Sequence, residues 1–164
     1  MSEVSIDSAR FRQVLGSYPT GVCVITAAGT DGQPVGMVVG TFTSVSLDPP
    51  LVGFLPDKKS SSWPLIEQAG KFCVNILGSD QQDMCRKVSG KGPDKFAQVA
   101  WTGSLHGLPI LAETLATIEC SLHSVIEAGD HWFVIGNVLA MDVTRDGDPM
   151  LFHRGRYGGF AELA

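Results

Sequence analysis

The chain has 164 residues, 44% of them apolar and 18% charged, with a formal net charge of −5. These values suit one globular domain, which at this length buries roughly two-thirds of the surface its unfolded form exposes. The acidic balance and the absence of any long Lys/Arg run exclude a nucleic-acid or anionic-membrane surface, so the expected partner is a small molecule.

Ser5 to Gly16 reads as a short opening helix. Phe11, Val14 and Leu15 share a face, Ser5, Asp7 and Ser8 are capping residues, and Gly16 followed by Pro19 stops it. Gly21 to Ala27 is a buried strand, Gly29 to Pro34 a turn, and Val35 to Ser46 a second strand rich in Val, Thr and Phe, so the pair forms a hairpin. Asp48-Pro49-Pro50 lacks two backbone donors and turns the chain into a third strand, Leu51 to Leu55. Ser60 to Ala69 has helical spacing, with Pro64 tolerated in the first turn. Lys71 to Leu77 returns to strand, and Ser79 to Val88 forms a second short helix.

Ser89 to Lys95 is the most loop-like stretch and is expected to be a mobile segment. Later strands are expected over Ala116 to Ile126, His131 to Val143 and Met150 to His153, with a turn at Glu127 to Asp130 between the first two. Many short strands, 19 glycines, 9 prolines and few helices predict a mainly β fold, an antiparallel barrel rather than a doubly wound sheet. No repeat or linker divides it, so residues 1–164 read as a single domain.

The first residues lack the basic flank, apolar stretch and cleavage site of a secretory signal, and no run of about 18 apolar residues occurs. Cys23, Cys73, Cys85 and Cys120 form no CxxC or secreted framework. A reducing, cytoplasmic setting without membrane association is therefore expected. The chain has no Gly-x-Ser-x-Gly elbow, Ser-x-x-Lys pair or phosphate loop, and Gly155-Arg-Tyr-Gly-Gly159 lies too near the end to open a βαβ unit. His106, His123, His131 and His153 show no HxxxH or HExxH spacing, so no metal site is expected.

The stretch GMVVGTFTSVSLDPP at 36–50 resembles the signature of the flavin reductase-like family. Tyr18-Pro-Thr-Gly-Val22, Lys71 to Leu77, Leu108-Pro109, Gly129-Asp130-His131 and Arg154-Gly-Arg-Tyr157 extend the resemblance, in the family's order, over nearly the whole chain. It implies an FMN-binding type of antiparallel Greek-key split β-barrel with a few short flanking helices. It further implies a homodimer that binds FMN or FAD, takes hydride from NADH or NADPH, and supplies reduced flavin to a partner monooxygenase. Hydride transfer is the cofactors' own chemistry, which is why an enzyme of this kind needs no catalytic triad.

The resemblance puts Val38, Val39, Gly40 and Thr41 at the flavin edge. The family usually carries Thr and Asn at the positions of Val38 and Gly40, and more often Ser at that of Thr41, so backbone contacts are expected there and Gly40 permits close approach. At least one of the Thr41 and Ser44 hydroxyls faces a ligand, or both make cross-strand hydrogen bonds. Lys58, Lys59, Ser60, Ser61 and Ser62 offer charge, hydroxyls and helix N-terminal amides to the flavin phosphate; the alternative is a serine cap with solvated lysines. Lys95 and Phe96 reach the flavin from the loop, or are a surface lysine beside a packed aromatic. Asp130 and His131 lie beside the nicotinamide, with His131 positioning it, or simply begin the strand after a turn. Arg154, Arg156 and Tyr157 add charge and stacking, or form a solvated basic end. Two other readings stay open: a non-catalytic flavin carrier, and a split barrel for another cofactor such as a deazaflavin or haem.

Overall fold

A computed structural model describes residues 6–164, so Ser5, the expected start of the opening helix, lies outside the described residues. The helix itself, α1, spans Ser8–Leu15 and is capped by Asp7, whose carboxylate accepts from the Arg10 amide at 2.7 Å. Strands β1 (Thr20–Gly21), β2 (Cys23–Ala28) and β3 (Pro34–Val39) follow. The expected strand over 35–46 is broken in two: after β3 the chain turns at 40–42 and resumes as β4 (Thr43–Ser46). The physical reason is the corner itself, where the Leu55 amide donates to Thr41 Oγ1 at 2.9 Å and draws the chain away from a straight ladder.

β5 (Leu51–Phe54), α2 (Trp63–Ala69) and β6 (Lys71–Ile76) come next. A 3-10 turn over Ser79–Gln81 leads into α3 (Gln82–Val88), and a second one, Pro93–Phe96, closes the glycine-rich loop. The hairpin β7 (Trp101–Gly103) and β8 (Pro109–Leu111) was not anticipated. The long pair β9 (Ala116–Ala128) and β10 (His131–Val143) precedes a C-terminal hairpin, β11 (Leu151–His153) and β12 (Arg156–Gly158).

Seven strands among the described residues form one antiparallel sheet in the order β3-β2-β6-β9-β10-β5-β4. Its two edges, β3 and β4, are consecutive in the chain and joined by residues 40–42 alone. A connection that short spans at most about 14 Å, so the edges meet at this corner although no ladder joins them. The result is a barrel split along one seam.

Side chains over 22–27, along β2 and the residue before it, alternate between two cores, as strand geometry requires. Cys23, Ile25 and Ala27 enter a cluster with Phe54, Trp63 and Phe72, whereas Val22 and Val24 join Leu77, Cys85, Val88, Phe96 and Met150. The second cluster seats α3 and the turn after the glycine-rich loop against the outside of the sheet. Buried Asn75 accepts from the Leu111 amide at 2.9 Å and so ties the β7–β8 hairpin to β6. No helix among the described residues is long and apolar enough to cross a membrane.

Candidate active site

On the outer face of β3 a groove of about 750 Å³ runs between the segment after β5 and the loop after α3. Its floor includes Gly36, Met37 and Val38; one wall is Lys59 to Ser62 and the other Ser89 to Pro93, with Lys95 and Phe96 at the end. Gly36 is needed for close packing, because a Cβ there would stand 2.2 Å from the Ile25 carbonyl oxygen and 3.0 Å from the Phe96 ring. The loop wall hangs between two buried anchors, Val88 and Phe96.

Polar groups converge at the groove. Lys95 Nζ donates to Ser62 Oγ at 2.9 Å, joining the two walls. Burial pushes the Lys95 ammonium below its usual pKa, since partial removal from water disfavours its charge. Ser60 Oγ accepts from the amides of Ser62 and Trp63, each at 3.2 Å. Ser60 thus satisfies the Trp63 amide at the start of α2, the next residue, Pro64, has no N–H, and hydroxyls and ammonium groups line the same wall.

The strand end carrying His131 is hydrogen-bonded to the same wall. The Lys58 amide donates to the Asp130 carbonyl and the Trp132 amide to the Pro56 carbonyl, each at 2.9 Å. His131 Nδ1 lies 2.7 Å from Asp130 Oδ1; a carboxylate only accepts, so Nδ1 carries the proton and Nε2 is left for another partner. The imidazole's hydrogen bond and charge hold the Asp130 carboxyl below its usual range.

Other expected residues are placed elsewhere. Lys58 turns away from the groove, pairing with Glu127 and lying over the Trp132 ring at 4.7 Å. Val39 is buried in the barrel core, Thr41 is engaged at the seam with Leu55, and Ser44 is exposed on edge strand β4. Gly40 abuts Thr20, whose Oγ1 would lie 2.9 Å from a Cβ at Gly40. Arg154 and Tyr157 line a separate cleft formed by the C-terminal hairpin.

The sequence profile of the flavin reductase like domain matches residues 15–161. The chain belongs to this family. It is 54% identical over 159 residues to a flavin reductase of Pseudomonas putida, covering 97% of this chain and 94% of that protein. Its fold is similar to that of a nitrilotriacetate monooxygenase component B homolog from Mycobacterium thermoresistibile, with a TM-score of 0.90, 44% identity, and 94% of this chain and 87% of the other covered. It is also similar to the NADH:FAD oxidoreductase of Streptomyces globisporus C-1027 solved with NAD and FAD fragments, with a TM-score of 0.89, 34% identity and 98% of each chain covered. The mainly β split barrel is the fold of these flavin reductase structures.

Of the groove lining, sequence reasoning missed the wall formed by Ser89 to Pro93 and the floor position of Met37. The glycine-rich composition of 89–92 signals a loop, but nothing local in it signals that the loop forms one side of a groove.

Proposed function

We propose that the chain is an NAD(P)H:flavin oxidoreductase whose groove holds the phosphate-bearing part of FMN or FAD. The observation that carries this reading is the convergence of the Lys59 to Ser62 segment with Lys95, 33 residues further along the chain, on one groove with an apolar floor. Ammonium groups and hydroxyls are the donors a phosphate recruits, while Met37 and Val38 offer the less polar surface that ring and ribityl carbons prefer. The residues present therefore fit a flavin. When bound, the flavin supplies the ring that accepts hydride.

The chain's own part is to bind and orient. Lys59 and Lys95 neutralise the phosphate, Ser61 and Ser62 donate to it, and Val38 shields the adjoining surface from water. His131, its Nδ1 proton fixed on Asp130, presents Nε2 to position the nicotinamide. Thr41 contributes by keeping the seam between β3 and β4 in place.

A cytoplasmic homodimer serving as the reductase component of a two-component monooxygenase is the assembly we favour. Support for a second copy comes from α1, which buries none of its own residues and leaves Phe11, Val14 and Leu15 exposed. An eight-residue helix is marginal alone and needs such a face covered. Support for an oxygenase partner comes from the relative described as a monooxygenase component. The test is turnover: purified protein should bind FMN or FAD and accelerate flavin-dependent NADH or NADPH oxidation. Flavin binding without turnover would make it a carrier instead.

A further inference from the structure

The cleft at the C-terminal hairpin has a volume of about 620 Å³ and is lined by Pro19, Leu151, His153, Arg154, Arg156 and Tyr157, among others. Its size falls in the range of small-molecule sites, roughly 300–1,000 Å³. In a chain of net charge −5 it gathers two arginines and a histidine within four residues. Among the described residues neither guanidinium has a carboxylate partner. Arg154 also adopts φ +50°, followed by Gly155 at φ +77°, in the turn between β11 and β12. A left-handed arginine is unusual in a two-residue hairpin turn, where Asn, Asp or Gly serve better. The turn is held by a hydrogen bond from the Arg154 amide to the Gly16 carbonyl at 3.1 Å.

The apolar part of the cleft is equally specific. Leu151, Pro19 and the Tyr157 ring line it, and Gly158 and Gly159 add backbone without side chains. Tyr157 is steadied by the Phe152 ring at 5.4 Å and by Cys85 Sγ, 3.5 Å from its hydroxyl. Thr20, next to Pro19, carries the one buried side-chain polar atom without a partner among the described residues. The groove and the cleft also share a divide. Cys85 meets Tyr157 from α3, whose end leads to Ser89 on the groove wall, and Gly40, two residues from Val38 on the groove floor, abuts Thr20.

We propose that this cleft is an adenylate site: the arginines take a phosphate, and the flat base lies against Tyr157, Leu151 and the glycine backbone. Adenylate is the chemistry shared by FAD and by NADH or NADPH, and absent from FMN and from reduced nicotinamide mononucleotide. The proposal rests on the reductase reading only for naming those two carriers.

The probe is 5′-AMP, titrated calorimetrically into the full-length protein purified free of flavin. Wild type should bind it, and Arg154→Gln/Arg156→Gln should weaken binding by about tenfold or more, as loss of two charge-assisted contacts implies. Two further arms identify the carrier. A fall in the preference for FAD over FMN in the double variant assigns the site to the flavin. A fall in the preference for NADH over reduced nicotinamide mononucleotide assigns it to the donor. Absence of AMP binding, equal binding by the double variant, or loss in Lys59→Ala alone would overturn the site. Wild-type protein that turns over NADH without binding AMP overturns the site and leaves the reductase reading standing; AMP binding lost with the arginines, in a chain without turnover, does the reverse.

Discussion

Lys95 donates to Ser62 Oγ across the groove at 2.9 Å, and the two residues come from segments separated by α2, β6 and α3. Burial in the groove lowers the lysine's pKa below its ordinary 10.5, so the site favours the neutral amine more than water does.

A phosphate entering the groove reverses that preference. Lys95→Met should weaken flavin binding by about 10- to 100-fold, the range for loss of a charged hydrogen bond. Wild-type affinity should fall with rising pH, beginning below the ordinary lysine value, because binding then requires proton uptake; the variant should lose that slope. The ligand-free protein should gain stability over the same window, since the unfolded chain keeps this proton to higher pH. Flavin fluorescence titrations across alkaline pH, with melts of the ligand-free protein alongside, measure both trends.

The two neighbouring lysines should behave differently. Lys59 lines the groove, whereas Lys58 is engaged by Glu127 and Trp132. Lys59→Ala should raise the flavin dissociation constant several-fold more than Lys58→Ala. Equal losses in equilibrium binding would place the phosphate between them and contradict the groove geometry.

For His131 the informative quantity is a ratio. His131→Ala should raise KM for NADH more than it raises the flavin dissociation constant, and Asp130→Asn should shift KM in the same direction by unfixing Nδ1. Steady-state kinetics at saturating flavin give the answer; parallel losses in both constants would mark His131 as a structural residue.

Gly36→Ala tests the floor. The added methyl meets the Ile25 carbonyl and the Phe96 ring, so β3 must shift from β2. Overpacking of this kind costs about 1–3 kcal/mol, and for a protein of this size each kcal/mol lowers Tm by roughly 2–4 °C. An unchanged thermal melt would show that the ladder accommodates the methyl.

Cys23, Cys73 and Cys120 should be inert in the native protein. Burial pushes each thiol up to about 12, with Cys73 and Glu119 adding to the rise at Cys120. Alkylation near neutral pH followed by mass spectrometry should leave these three unmodified, and denaturant should expose all four cysteines. Native labelling of any of the three would show that the strand carrying it opens.

The strands and short helices were legible because each carries a local signal: a β-branched run, a capping residue, a proline turn. The β7–β8 hairpin was not, since three-residue strands around Ser104 to Gly107 look like loop until Asn75 supplies a partner from β6. Within the site, the serine-rich wall and Lys95 could be read from residue type and from the family resemblance. The fate of Lys58 depends on Glu127, 69 residues away, and no local pattern encodes it. The same holds for Arg154 and Tyr157, whose separate cleft exists only because β1 pairs with β11. Long-range register is what a linear reading of the chain lacks.

The loop wall from Ser89 to Lys95 is tied at both ends, with Val88 and Phe96 sunk in the second core. Eight chain steps between fixed points reach about 28 Å at full stretch, so the middle of the loop can swing no farther than roughly 14 Å from either end. The Ser89 and Gly90 amides bond back to α3 and Lys95 bonds across to Ser62, so the freest part of the span is the short run around Lys91 and Gly92. Any widening of the groove on this side would therefore hinge on Val88 and Phe96 and part the Lys95–Ser62 bond, while close packing holds the floor at Gly36.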